Sequence, residues 1–91
     1  MTKRRMHVFV KGTVQGVYYR YNALKKAEEH HLTGWVRNRA DGNVEMVCEG
    51  TEEDINNMVR WCKQGPAGAY VREVATDWKP YTGEFNVFEI R

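Results

Sequence analysis

The sequence predicts an α+β sandwich with two helices on one face of an antiparallel sheet. Three observations lead there. Strand-like runs rich in Val, aromatic and alternating apolar residues occupy 5–12, 35–39, 44–49 and 69–77. Two other stretches, 20–31 and 52–63, space their apolar residues as helices do. Together they read β-α-β-β-α-β, with a short extra strand over 85–90.

In the first strand Val8 and Val10 alternate with His7, Phe9 and Lys11, so at least one face is buried. A loop follows over 13–19. The first helix puts Ala23, Leu24, Ala27 and His31 on one side, with Lys25, Lys26, Glu28 and Glu29 toward solvent. Thr33-Gly34 is expected to end it, since glycine commonly lies just past a helix. Trp35 to Arg39 form the second strand. The Asp41-Gly42 pair inside Ala40 to Asn43 is a strong hairpin signal. The third strand is expected to turn Val44, Met46 and Cys48 inward and Glu45 and Glu49 outward, and Gly50-Thr51 stops it. Thr51 suits an N-cap, and Glu52, Glu53 and Asp54 load the next turn with the negative charge a helix start favours. Ile55, Met58, Val59 and Cys62 make the clearest amphipathic stripe in the chain, and core packing accounts for it. Lys63 to Pro66 close this helix. Tyr70, Val71 and Val74 mark the next strand, and a turn at Lys79-Pro80 leads to the final run.

This order is that of the ferredoxin-like, split βαβ arrangement. A crossover through the first helix makes strands one and two parallel, with strand three between them running the other way. The carboxyl ends of strands one and two then share a sheet edge, about 9–10 Å apart. The loop 13–19 and Asn38 flank the notch between them, the kind of place where open sheets receive ligands.

Ninety-one residues are expected to form one domain, 1–91, with one two-layer core. Apolar content of 42% and charged content of 29% are those of an ordinary globular chain. No apolar run reaches the roughly 18 residues of a membrane helix, and the N-terminus does not read as a signal peptide. A cytoplasmic monomer is the expectation, with no membrane partner. Cys48 and Cys62 read as reduced core thiols. His30 and His31 are adjacent, point about 100° apart on a helix and cannot share a metal as an i, i+4 pair could. No metal is expected. The net charge of +2 is too small to argue for nucleic acid. Its distribution is uneven: residues 1–45 hold nine Lys/Arg against four acids, residues 46–91 five against eight. The positive half favours an anionic ligand.

That half contains Gly12-Thr13-Val14-Gln15-Gly16-Val17-Tyr18-Tyr19-Arg20. A glycine-punctuated loop between strand and helix can turn backbone N–H groups inward as an anion cradle, and the helix N-terminus adds positive potential. Arg20 adds a fixed charge and a planar fork of donors that matches phosphate oxygens. Glycines also serve turning alone, and an arginine at a helix start can be a solvated surface group; spacing by itself leans that way. No Gly-Lys-Ser/Thr follows, so this is not a Walker A loop. Glycines four apart without a third exclude the dinucleotide fingerprint.

The segment resembles the signature of the acylphosphatase family. Gly34-Trp35-Val36-Arg37-Asn38 resembles the family's second motif at the expected spacing, and Asp41-Gly42-x-Val44-Glu45 and Gly65-Pro66 also match. Thr13 stands where the family usually has a basic residue, which lessens the local positive field without removing a residue assigned to chemistry. The resemblance implies a hydrolase that cleaves acyl phosphates to a carboxylate and inorganic phosphate without metal or cofactor. It implies that the loop of Gln15, Gly16, Val17, Tyr18, Tyr19 and Arg20 holds the phosphate, Arg20 by its charge, and that Asn38 orients the attacking water. The partners it implies are the small-molecule acyl phosphate and inorganic phosphate.

Two alternatives stand beside this. The same fold carries RNA-binding modules, but the Arg/Lys-Gly-Phe/Tyr-Gly/Ala-Phe-Val pattern of an RNA-recognition motif is missing. A binding domain that holds a phosphorylated metabolite without turning it over is the other.

Overall fold

The structure, a computed structural model, describes residues 2–91. Its elements are β1 (Lys3–Thr13), α1 (Tyr19–Glu29), β2 (Thr33–Asn38), β3 (Val44–Thr51), α2 (Glu52–Gln64), β4 (Tyr70–Lys79) and β5 (Phe88–Ile90). The strands form one sheet in the order β4-β1-β3-β2-β5. Central β3 runs antiparallel to both β1 and β2, so those two run the same way, as a right-handed crossover through α1 requires. This is the ferredoxin-like α+β fold that the element order predicts. β4 lies antiparallel to β1 at one edge. β5 lies parallel to β2 at the other, so the sheet is mixed there. The final run pairs only over Phe88–Ile90, not from residue 85.

Both helices lie on one face. Met6, Val8 and Val10 of β1, Val36 of β2, and Val44, Met46 and Cys48 of β3 meet Ala23 and Ala27 of α1 and Ile55, Met58 and Cys62 of α2 in one buried cluster. Both cysteines are free and buried. Burial pushes the Cys62 thiol up to about 12 and Cys48 well above its usual value, so both pack as neutral thiols. The cap at Thr51 forms as expected: its side-chain oxygen accepts from Asp54 N at 3.2 Å. Among the described residues, no helix is long and apolar enough to cross a membrane.

Two local expectations are corrected. The first helix ends at Glu29, and Thr33-Gly34 belongs to β2. His31 takes the left-handed position (φ 58°) past the helix end. Its N–H donates to Glu28 O at 3.1 Å and that of Leu32 to Ala27 O at 2.8 Å, the paired bonds of a Schellman ending. His31 is therefore exposed, and Leu32 takes the buried place. Gly34 serves the sheet instead: a Cβ there would stand 1.9 Å from Val47 O.

The second correction concerns Glu45 and Glu49, which are 4% and 2% exposed rather than open to solvent. They do point away from the helices. Glu45 is enclosed by His7 (2.6 Å), Arg37 (2.8 Å) and Arg39 (3.3 Å). Glu49 accepts from Arg5 and from Thr82 and Gly83 of the segment that crosses this face. Alternation tells which face a strand residue takes, not whether that face meets water.

Candidate functional site

The site lies where β1 passes into α1. Val14 and Tyr19 are buried at the two ends of the connecting loop, and Val17 packs half-buried against the core between them. Gly16 and Tyr18 are left facing outward. The Tyr19 hydroxyl donates to Cys62 O at 2.8 Å, which ties the start of α1 to the end of α2. Burial raises the pKa of that phenol well above its ordinary value, so it is an anchor rather than an acid or base.

Gln15 fixes the loop from the other side. Its amide donates to Arg39 O at 2.7 Å and Asn43 O at 2.8 Å, both in the β2–β3 hairpin. The hairpin is itself closed by Arg39 N donating to Asn43 O. The backbone N–H of Asn43, with Arg39, holds the Asp41 carboxyl below its usual range, so Asp41 serves the turn.

Gly16 (φ 74°) and Tyr18 (φ 61°) are both left-handed. A Cβ on Gly16 would meet nothing within 4 Å, so glycine is needed there for conformation and not for space. Left-handed residues of this kind turn successive N–H groups toward one concavity, the geometry of anion-binding nests. The helix that follows is unprotected. α1 has no side-chain cap and no acid in its first turn, whereas α2 has both. The positive pole of α1 is thus left for an outside anion.

Arg20 strengthens that field. Among the described residues, Arg5, Arg37, Arg39 and Arg91 pair with carboxylates. Arg20 has no such partner and is half-buried. Asn38 ends β2 on the same sheet edge. Its Oδ1 is buried without a hydrogen-bond partner among the described residues. Leaving a buried acceptor unpaired costs about 1–3 kcal/mol.

Arg20 and Asn38 line one cleft of about 370 Å³, together with Gly16, Tyr18 and Tyr19. Gln15 and Val17 do not line it; they hold the loop in place. The remaining walls are Val14, which the signature segment contains, and Tyr21 and Ile90, which sequence reasoning missed. Tyr21 sits one residue past the motif. Ile90 arrives only because β5 pairs in parallel with β2, with Val36 opposite Ile90. No local pattern encodes that approach. The lining contains no carboxylate and no imidazole. Among the described residues, no three His, Cys, Asp or Glu side chains gather as a metal site would need.

Comparisons with known proteins give the family and the fold. The Acylphosphatase family model matches residues 6–90. The chain is 50% identical over 90 residues to an acylphosphatase of Pelotomaculum thermopropionicum, covering 99% of this chain and 98% of that one. Among solved structures it superposes on the acylphosphatase of Bacillus subtilis with a TM-score of 0.93 at 32% identity, covering 97% and 98% of the two chains. With the Coxiella burnetii acylphosphatase the TM-score is also 0.93, at 38% identity over 98% and 93%. A family match over residues 6–90 and 50% identity along nearly the whole chain show that this chain belongs to the acylphosphatase family.

Proposed function

We propose that this chain hydrolyses acyl phosphates to a carboxylate and inorganic phosphate, in the cleft that Arg20 and Asn38 line. The observation that carries the reading is that one cleft brings together the uncapped start of α1, a guanidinium without a carboxylate partner among the described residues, and Asn38, whose Oδ1 has no hydrogen-bond partner among them. The first two would hold the phosphoryl group through loop N–H groups and Arg20. Asn38 would hold the attacking water in line.

The water oxygen bonds to phosphorus as the bond from phosphorus to the acyl oxygen breaks, and the carboxylate leaves with that electron pair. A carboxylate is a good leaving group, so a dedicated general acid is not required. The cleft offers no carboxylate or imidazole as base, and an amide cannot take a proton at neutral pH. The water's proton passes to a non-bridging oxygen of the phosphoryl group, which leaves as dihydrogen phosphate. Such chemistry asks the protein for positioning and charge stabilisation. The proposal extends to a metal- and cofactor-free reaction by a single domain, 1–91, acting as a cytoplasmic monomer on a small molecule, with neither nucleic acid nor membrane as partner.

The test is hydrolysis of benzoyl phosphate with a metal chelator present. The parent protein turns it over. Folded Arg20→Ala loses about 10³-fold or more in kcat/KM, the scale of a lost phosphoryl-clamping arginine, and Arg20→Lys recovers only part, lacking the fork. Phosphate binding without turnover in the parent would instead make this a binding domain.

A further inference from the structure

We propose that the wall formed by Tyr18, Tyr21 and Ile90 is the acyl-group site, and that the chain prefers acyl phosphates whose acyl group is uncharged and apolar. This rests on the acylphosphatase reading of the cleft.

Single exposed apolar residues need no explanation, but convergent ones do. Seven large hydrophobic or aromatic side chains are exposed among the described residues, and three of them, Tyr18 (79%), Tyr21 (53%) and Ile90 (40%), line this one cleft. They come from three different pieces of chain: the loop, the first turn of α1 and the end of β5. Each has a reason to be there. The left-handed backbone of Tyr18 holds its ring outward at a cost in strain. Tyr21 leans toward the loop because helical side chains slant toward the helix N-terminus. The parallel pairing with β2 brings Ile90 to the edge that carries Asn38.

The cleft is also larger than its cradle requires. About 370 Å³ is the scale of a small-molecule site rather than of one phosphoryl group. With Arg20 and the loop gripping the phosphoryl end, the remaining space faces two phenol rings and an aliphatic side chain. Such a wall rewards buried methylenes and penalises an acyl group that brings its own charge. The charge to weigh against this is Lys25, whose ammonium lies 5.4 Å from the Tyr21 ring centre. Lys25 does not itself line the cleft.

The test uses acetyl, butyryl, hexanoyl and succinyl phosphates. The unbranched monoacids leave as carboxylates of nearly equal basicity, so their comparison reads acyl contact rather than leaving-group chemistry. The expected result is a rise of about tenfold in kcat/KM from acetyl to hexanoyl phosphate, carried mainly by KM. Succinyl phosphate should fall below butyryl phosphate. Tyr21→Ala/Ile90→Ala should flatten the series to within about twofold, while inhibition by inorganic phosphate stays that of the parent because the cradle is untouched. Tyr21 is 53% and Ile90 40% exposed, and thermal unfolding of the variant beside the parent checks that the fold is kept. A flat series in the parent, a slope that survives the double substitution, or succinyl phosphate as the better substrate would each overturn the acyl-site assignment while leaving hydrolysis standing. No turnover of any member would overturn the reading of the cleft, and this assignment with it.

Discussion

The most informative atom beside the cleft is Asn38 Oδ1, a buried acceptor without a hydrogen-bond partner among the described residues. Such an atom is costly in the folded chain, and its replacement tests whether the cost serves turnover. Asn38→Ala should keep the fold, since it removes the unpaired group together with its desolvation penalty. If Asn38 orients the water, kcat should fall about 10²–10³-fold, with inhibition by phosphate little changed. Steady-state kinetics with phosphate as inhibitor separate the two, and near-parental kcat would remove the proposed role. Arg20 and Asn38 were legible in the sequence because each sits in a motif with fixed spacing. Gln15 was legible only in part: the motif marks it as a loop residue, but its bonds to Arg39 and Asn43 need a hairpin 24 to 28 residues away. Tyr21 and Ile90 carried no signal at all, because a cleft wall made by tertiary approach leaves no periodicity behind.

At the scale of elements, binary pattern and turn chemistry located every helix and strand, and the errors fall at boundaries. The misplaced end of α1 shows why. Gly34 looked like a helix stop, yet the close approach of Val47 O is what demands it. His31 fills the position where glycine is the favoured residue. This yields a stability prediction. A left-handed non-glycine residue costs about 1–2 kcal/mol, and His31 is exposed with no side-chain hydrogen bond among the described residues. His31→Gly should therefore stabilise the fold by about 1 kcal/mol, raising Tm by about 4–8 °C for a chain of this size. Thermal unfolding followed by circular dichroism checks it, with Thr51→Ala as the opposite control. That variant loses the α2 cap and should destabilise by about 1 kcal/mol. An unchanged or lowered Tm in His31→Gly would mean that the imidazole supports the helix end more than its backbone strain opposes it.

Across the whole molecule, the two faces of the sheet are stabilised differently. One is covered by helices and apolar side chains. The other is covered by charge, with Glu45 and Glu49 buried under arginines, His7 and the 82–83 backbone. Composition could not reveal this, because a buried glutamate and a solvated one read alike in a strand. The consequence is an acid-sensitive fold. Burial alone would raise the Glu45 pKa, but hydrogen bonds from Arg37 and His7 outweigh it and hold the carboxyl below its ordinary value. Hydrogen bonds from Arg5 and Thr82 hold Glu84 low as well. A carboxyl with a depressed folded pKa makes the unfolded chain bind more protons, so stability is full above the ordinary glutamate value of 4.5 and is lost as pH falls through the folded value. Tm should therefore be level near neutrality and decline from about pH 5 downward. Glu45→Gln should start lower at pH 7, because Arg37, Arg39 and His7 lose their shared acceptor charge, and should fall less steeply on the acid side. The two curves then converge as pH falls through the folded value and the parental carboxyl takes up its proton. Parallel curves over that range would show that Glu45 contributes no pH dependence, and the acid sensitivity would have to lie with Glu84 and Asp41, whose carboxyls are also held low.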